Sequence, residues 1–265
     1  MAENSLQGKW ALILGASSGF GAATAKELAR HGMNIIGVHL DRRGAMAGVE
    51  ELIKTLQASK GQVHYFNVNA ADADKRKEVL DQMQPKIGGA AVTILMHSLA
   101  FGTLKPYLAP DPKDQLNKDQ MEMTLDVMAN SLVYWTQDLV ARKLIGKGSR
   151  IYAMTSSGGT RVWPSYGAVS AAKAALESHI RQLAMELAPY GAAANTIRAG
   201  VTDTPALRKI PGSDEMIKFA TARNPHHRLT TTEDVASAIA LLSMSGTDWM
   251  TGNVIGVDGG EDIVG

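Results

Sequence analysis

Seven short apolar runs, spaced by longer amphipathic stretches, constrain this chain more than any other feature. They are Trp10–Leu14, Ile35–His39, Val63–Asn67, Val92–Met96, Ile151–Thr155, Ala194–Arg198 and Asn253–Val257. Several are apolar at consecutive positions, as in a strand covered by helices on both faces. Between them lie helical patterns at Phe20–His31, Gly48–Ala58, Asp72–Met83, Lys118–Leu144, Tyr166–Leu187 and Thr232–Met244. Such alternation requires right-handed crossovers. The fold predicted is α/β: a doubly wound, seven-stranded parallel sheet with helices on both faces. No Gly/Ser linker or charge block divides the 265 residues, so they read as one domain, 1–265.

Charge and composition remove several functions. With 27 Lys+Arg against 26 Asp+Glu there is no global attraction to nucleic acid or to a membrane surface. The absence of cysteine excludes disulfides, thiolate metal sites and a Cys nucleophile. His226 and His227 are adjacent, point apart and lack a third ligand at a recognisable spacing, so no metal is expected. No apolar run approaches the ~20 residues of a membrane span. The amino terminus lacks the basic segment and apolar core of a secretory signal. A soluble cytoplasmic protein is expected.

Two segments break the rhythm. The stretch 98–117 follows the fourth run and carries three prolines; 200–229 follows the sixth and has only a short helical piece near Glu215–Arg223. Open α/β sheets bind ligands beyond the carboxyl ends of their strands, so substrate is expected at these two loops.

The first run passes into Gly15-Ala16-Ser17-Ser18-Gly19-Phe20-Gly21, a GxxxGxG turn that opens a helix. Glycines there allow a tight turn and close backbone approach, and the helix start favours a diphosphate. Further on, Tyr166 precedes Lys173 by seven residues, close to two helical turns, so both side chains can share one face.

On these residues the chain resembles the short-chain dehydrogenase/reductase family, from the GxxxGxG turn to the tail Thr251-Gly252…Val257-Asp258-Gly259-Gly260. The resemblance implies a Rossmann-like fold and a nicotinamide dinucleotide held by Gly15, Ser17, Ser18, Gly19, Phe20 and Gly21. It adds Asn67 and Val68 near adenine, Ser98 and Leu99 after the fourth strand, Lys173 at the ribose, and Gly200, Thr202 and Thr204 after the sixth strand. The position that holds a carboxylate in NAD-preferring members is His39, followed by Asp41, Arg42 and Arg43. Guanidinium groups suit a 2′-phosphate, so NADPH is expected, with NADH left open through Asp41.

The Tyr-x6-Lys spacing and the segment His97-Ser98-Leu99-Ala100-Phe101-Gly102 resemble the enoyl-acyl-carrier-protein reductases, a branch of that family. That likeness implies reduction of the C=C bond of a trans-2-enoyl thioester in fatty acid synthesis. Tyr166 would stabilise the enolate oxygen, Lys173 would anchor the ribose, and Ser156 would assist at the substrate oxygen. Ala100, Phe101, Tyr166 and Leu207 would contact the substrate. The branch also implies a homotetramer packed through Lys118–Leu144 and Tyr166–Leu187, and an acyl carrier protein as partner. Five basic residues against two acidic ones in 205–228 could steer that acidic carrier. Asn130 and Met128 stand near the place of the family's catalytic asparagine, and Asn130 is assigned no role. Two other readings stay open: a dehydrogenase acting on a carbonyl or alcohol, such as a 3-oxoacyl, sterol or polyol substrate, and an inactive dinucleotide-binding regulator.

Overall fold

The computed structural model describes residues 6–264; residues 1–5 of the polar amino terminus and Gly265 lie outside them. All seven runs form strands: β1 (Trp10–Leu14), β2 (Asn34–His39), β3 (Val63–Asn67), β4 (Val92–His97), β5 (Arg150–Ser156), β6 (Ala193–Ala199) and β7 (Val254–Val257). They make one parallel sheet in the order β3-β2-β1-β4-β5-β6-β7. The helices between them are α1 (Gly19–Arg30), α2 (Met46–Gln57), α3 (Ala73–Ile87), α4 (Lys118–Leu125), α5 (Ser131–Ala141), α6 (Gly167–Glu186), α7 (Ser213–Arg223) and α8 (Thr232–Leu242).

Strand side chains feed two cores in alternation, as the two-residue period of a strand demands. Trp10, Leu12 and Leu14 of β1 meet Leu80 of α3, Trp135 of α5 and Ile180 of α6 on one face. Ala11 and Ile13 meet Leu28 of α1, Leu56 of α2 and Ile239 of α8 on the other. Each such fully buried Leu or Ile contributes about 1.5–3 kcal/mol relative to exposure. Trp135 is buried at no polar cost, since its indole N–H donates to the Ala70 carbonyl at 2.8 Å.

Strand β1 pairs with β2 on one side and β4 on the other. The chain therefore leaves the sheet in opposite directions from the carboxyl ends of β1 and β4, which opens a crevice between them. The ends of β1, β2 and β4 are drawn together there. Gly15 and Ala16 N–H both donate to the Val38 carbonyl, at 2.8 and 3.1 Å, and Ser98 N–H donates to Leu14 at 2.8 Å.

Two helices differ from the pattern. The single helix predicted over Lys118–Leu144 is α4, then a π-helical turn at Asp126–Asn130, then α5. Apolar spacing reports the face a helix buries, and one widened turn leaves that face intact. What the turn provides is a tertiary contact: Ser131 donates its hydroxyl to the Val127 carbonyl, 2.9 Å, and meets His97 Nε2 at 2.9 Å. The helix predicted from Tyr166 begins at Gly167, with Tyr166 as its N-cap residue.

Candidate active site

The glycine turn is built as its spacing requires. Gly15 has φ +87°, and a Cβ there would lie 2.3 Å from the Ser98 carbonyl oxygen. A Cβ on Gly21 would lie 2.1 Å from the Gly15 carbonyl oxygen, so α1 can sit this close to β1 only without a side chain. Ser18 is the N-cap of α1, in extended backbone, and no side chain caps the helix start. The first N–H groups of α1 are thus left for an external acceptor, and a phosphate at a helix start fits them. The loop after β6 reaches the same turn: the Thr204 methyl lies 3.7 Å from where a Gly19 Cβ would be. Ser17 and Phe20 are half-buried, Phe20 against the core under α1. We expect Gly21→Ala to weaken binding of the nicotinamide dinucleotide at least about tenfold and to cost about 2–3 kcal/mol, because both clashing groups are backbone. Cofactor titration with a thermal melt checks it; a normal affinity and melting temperature would refute the close-packing argument.

At the ends of β2 and β3 the polar groups are already committed. Asn67 accepts from Asp41 N–H at 3.0 Å and donates back to the Asp41 carbonyl at 3.0 Å; its amide also lies 3.4 Å from Met46 Sδ. The adenine contact implied for Asn67 competes with that pairing. Val68 is partly buried, and its N–H donates to the His39 carbonyl at 2.8 Å. His39 is not open to a ribose: its side chain is 2% exposed and its Nδ1 lies 2.8 Å from the Asp41 carboxylate. Arg42 and Arg43 are exposed. Among the described residues neither forms an ion pair.

The catalytic candidates converge at the end of β5. Burial holds the Tyr166 phenol above its ordinary pKa, and the neighbouring Ser156 hydroxyl acts in the opposite direction. Ser156 accepts from Gly158 N–H at 3.1 Å. Gly158 is required beneath the ring, where a Cβ would lie 2.5 Å from Tyr166 Cε1. Ser165, at φ +61°, turns the chain into the helix just before Tyr166. Lys173 is buried, donates from Nζ to the Met154 carbonyl at 2.7 Å, and has its pKa lowered to about 8 by burial. Glu177, one turn further along α6, opposes that shift and accepts from the Thr155 hydroxyl at 2.6 Å. His97 is fully buried at the end of β4, and burial, with the Lys173 charge second, lowers its pKa to about 3. It stays neutral, with Nδ1 unpartnered.

The two loops frame this cluster. Ala100 and Phe101 are exposed, Phe101 to 60%. Gly102 threads between Thr124, Met128 and Val169, each within 3.0 Å of a built Cβ. The hydroxyl end of the Tyr107 ring packs on Gly167, the residue after Tyr166. The second loop is pinned by Trp163 Nε1, which donates to the Pro211 carbonyl at 3.0 Å. Leu207 is buried beneath it rather than open to the cleft. Thr202 donates to the Gly200 carbonyl at 3.0 Å, and the buried Glu261 accepts from Val201 N–H at 3.0 Å. The basic excess of 205–228 is largely spent internally: Arg208 pairs with Asp203 and Asp214, Arg223 with Glu261, and Arg228 with Asp234. Of the five cations, only Lys209 and Lys218 lack an ion pair among the described residues, so steering by this segment is much weaker than its sequence implies. Asn130 bonds His179 at 3.0 Å, and Met128 is buried in the core.

Sequence reasoning missed Tyr107, Glu177, Thr155 and Glu261. Only Glu177 had a local signal, four residues after Lys173 and so on its face. Among the described residues no group of three or more His, Asp or Glu could hold a metal, and no helix is long and apolar enough to cross a membrane.

Comparison with known proteins agrees with this geometry. The profile of the enoyl-(acyl carrier protein) reductase family matches residues 15–261. The chain is 30% identical to the enoyl-[acyl-carrier-protein] reductase [NADH] FabI of Nostoc sp., covering 98% of each chain. It is 27% identical to the 3-oxoacyl-[acyl-carrier-protein] reductase FabG of Thermotoga maritima, over 96% of this chain and 98% of that one. Its structure is similar to that of the enoyl-[acyl-carrier-protein] reductase (NADH) from Aquifex aeolicus VF5, with a TM-score of 0.85, 26% identity and 98% of each chain covered. The chain belongs to the enoyl-(acyl carrier protein) reductase family, within the short-chain dehydrogenases/reductases, and is an NAD(P)H-dependent oxidoreductase.

Proposed function

We propose that this enzyme reduces the C=C bond of trans-2-enoyl thioesters with NADPH, on substrates carried by acyl carrier protein in fatty acid synthesis. The observation that carries the reading is Tyr166 at the mouth of α6, seven residues ahead of Lys173, with its ring and the Ser156 hydroxyl both set against Gly158. When bound, the nicotinamide would supply a hydride to the substrate's β-carbon, and the resulting enolate would take a proton from solvent at its α-carbon to give the saturated thioester. Tyr166 donates to the thioester oxygen, where negative charge develops, and its raised pKa keeps the proton in place as a hydrogen-bond donor. Ser156, held by Gly158 N–H, acts on the phenol against the effect of burial. Lys173, buried beside the Met154 carbonyl, would hold the ribose hydroxyls of the bound cofactor and add a positive field. Phe101 and Tyr107 offer an apolar lip to the acyl chain.

A second reading has its own support. Ser156 stands where dehydrogenases of this fold have a serine, and it lies with the Tyr166 ring against Gly158, an arrangement that suits carbonyl reduction. One assay separates the two: NADPH with crotonyl thioester, then with a 3-oxoacyl thioester, following reduced nicotinamide. Turnover on crotonyl thioester only is expected. Turnover on the 3-oxoacyl thioester alone overturns the proposal, and none on either, with tight cofactor binding, marks a regulator. We further propose a cytoplasmic homotetramer. Exposed Leu241, Trp249, Met250 and Val254 near the β7 edge and Met185 on α6 give it apolar surface to bury.

A further inference from the structure

We propose that Glu177 is a positioning residue for Lys173, and that Thr155 holds the Glu177 carboxylate off the ammonium group, so that the cation is supported without being captured. The inference rests on the placement of Lys173 at the cofactor ribose proposed above.

A lysine and a glutamate four residues apart share one face of a helix, and their side chains ordinarily meet there as an ion pair. Lys173 and Glu177 do not. Among the described residues no ion pair joins them, and each is drawn instead to the end of β5. Lys173 Nζ donates to the Met154 carbonyl at 2.7 Å, and Glu177 Oε1 accepts from the Thr155 hydroxyl at 2.6 Å. Met154 and Thr155 are neighbours in the strand, so α6 is fastened to β5 at two successive residues, with cation and carboxylate side by side but apart. The turn Ser157–Gly159 covers both: a Cβ on Gly159 would lie 3.5 Å from Lys173 Cβ and 3.6 Å from Glu177 Oε1.

The separation matters for what the ammonium can do. It carries three protons, and one is spent on Met154. Two are left for a pair of vicinal hydroxyls, whereas an ion pair to Glu177 would take one of them and turn the group along the helix. Glu177 acts as a charge at a distance. Burial disfavours the Lys173 cation, and the Glu177 carboxylate opposes that loss. The other titratable groups about the site carry no charge to replace it. Burial keeps His97 of β4 neutral, keeps the proton on the Tyr166 phenol, and lowers the pKa of His179 further along α6. On the flanking strands Arg150 of β5 is paired with Asp248, and Arg198 of β6 with Asp262.

Binding of NADPH and of NADH to the full-length protein from about pH 6 to about pH 10, with melting curves of the unliganded protein over the same range, tests this without turnover. Glu177→Gln keeps an acceptor for Thr155 but removes the charge. Its fall in cofactor affinity should come about one pH unit lower than in the wild type, leaving binding about fivefold weaker at about pH 8. The alkaline gain in melting temperature should begin earlier by the same amount. Thr155→Val frees the carboxylate to pair with Lys173. That limb should move to higher pH by about half a unit or more, while affinity at neutral pH falls about threefold to tenfold. Thr155→Ser should restore the wild-type profile. Opposite shifts are the signature, since loss of packing alone would not raise one limb and lower the other. A limb within about 0.3 pH of wild type in Glu177→Gln overturns the inference and leaves Lys173 at the ribose. A limb that stays or moves down in Thr155→Val also overturns it. A wild type without an alkaline limb overturns it too, and if Lys173→Met then binds both cofactors normally the ribose reading falls with it. Should Glu177→Gln not fold, Thr155→Val against Thr155→Ser decides: an upward limb in the first alone supports the inference, and any other result overturns it.

Discussion

Tyr166→Phe is expected to lower kcat on an enoyl thioester by about 10²–10³-fold, the usual cost of removing one preorganised donor to a developing oxyanion. The ring is retained, so its packing over Gly158 and against the core survives and the fold should be unaffected. NADPH affinity should change by less than about twofold, since the hydroxyl is aimed at the substrate oxygen and not at the diphosphate or ribose. KM should move little. The loss falls on kcat because the interaction strengthens only as charge builds on the oxygen. Steady-state kinetics on crotonyl thioester, with a parallel NADPH titration, gives both quantities. Turnover at the wild-type rate would mean that another group faces the substrate oxygen. Ser156→Ala should be milder, about tenfold, because it removes the group behind the donor and not the donor itself.

Lys173→Met should separate stability from function. Burial lowers the Lys173 pKa from its ordinary value of 10.5 to about 8, so the folded state binds that proton less tightly than the unfolded chain. The penalty is fully present below about pH 8 and is relieved as pH rises from about 8 toward 10.5, since over that window the unfolded state alone holds the proton. An apolar side chain of similar length avoids it. It leaves the Met154 carbonyl without its donor, at a cost of about 1 kcal/mol, smaller than the few kcal/mol relieved. At neutral pH the variant should melt at or above the wild-type temperature. Its NADPH affinity should nonetheless fall by about 10–100-fold, the worth of a charged donor to the ribose hydroxyls. The wild type should also lose affinity as pH rises past about 8, and Lys173→Met should lack that limb. An unchanged affinity, or the same alkaline limb in the variant, would show that Lys173 serves packing alone.

How much of this was legible beforehand depends on the kind of contact. The glycine turn was readable because all its requirements, a left-handed Gly15 and no side chain at Gly21, fall within seven residues. The seven strands were readable because both faces of the sheet are covered, which forces apolar runs. The Tyr166–Lys173 pair was readable as a spacing, although Tyr166 caps the helix where the pattern starts it there. The steering cations misled. Arg208 finds Asp203 and Asp214 within six residues, and Arg228 finds Asp234, but counting charges does not say which ones pair.

The sequence by itself determined the doubly wound sheet, the glycine turn between β1 and α1 and the helix that carries a phenol ahead of an ammonium group. These follow from periodicity and from local backbone geometry, which a few neighbouring residues fix. The tertiary structure alone decided that Asn67 locks Asp41, that Glu177 stands by Lys173 through Thr155, and that Tyr107 lies on Gly167. Each joins segments that meet only after strands far apart in sequence have paired and their loops have been carried to one edge of the sheet. A side chain's hydrogen-bond partner is set by that meeting, and no local pattern encodes it.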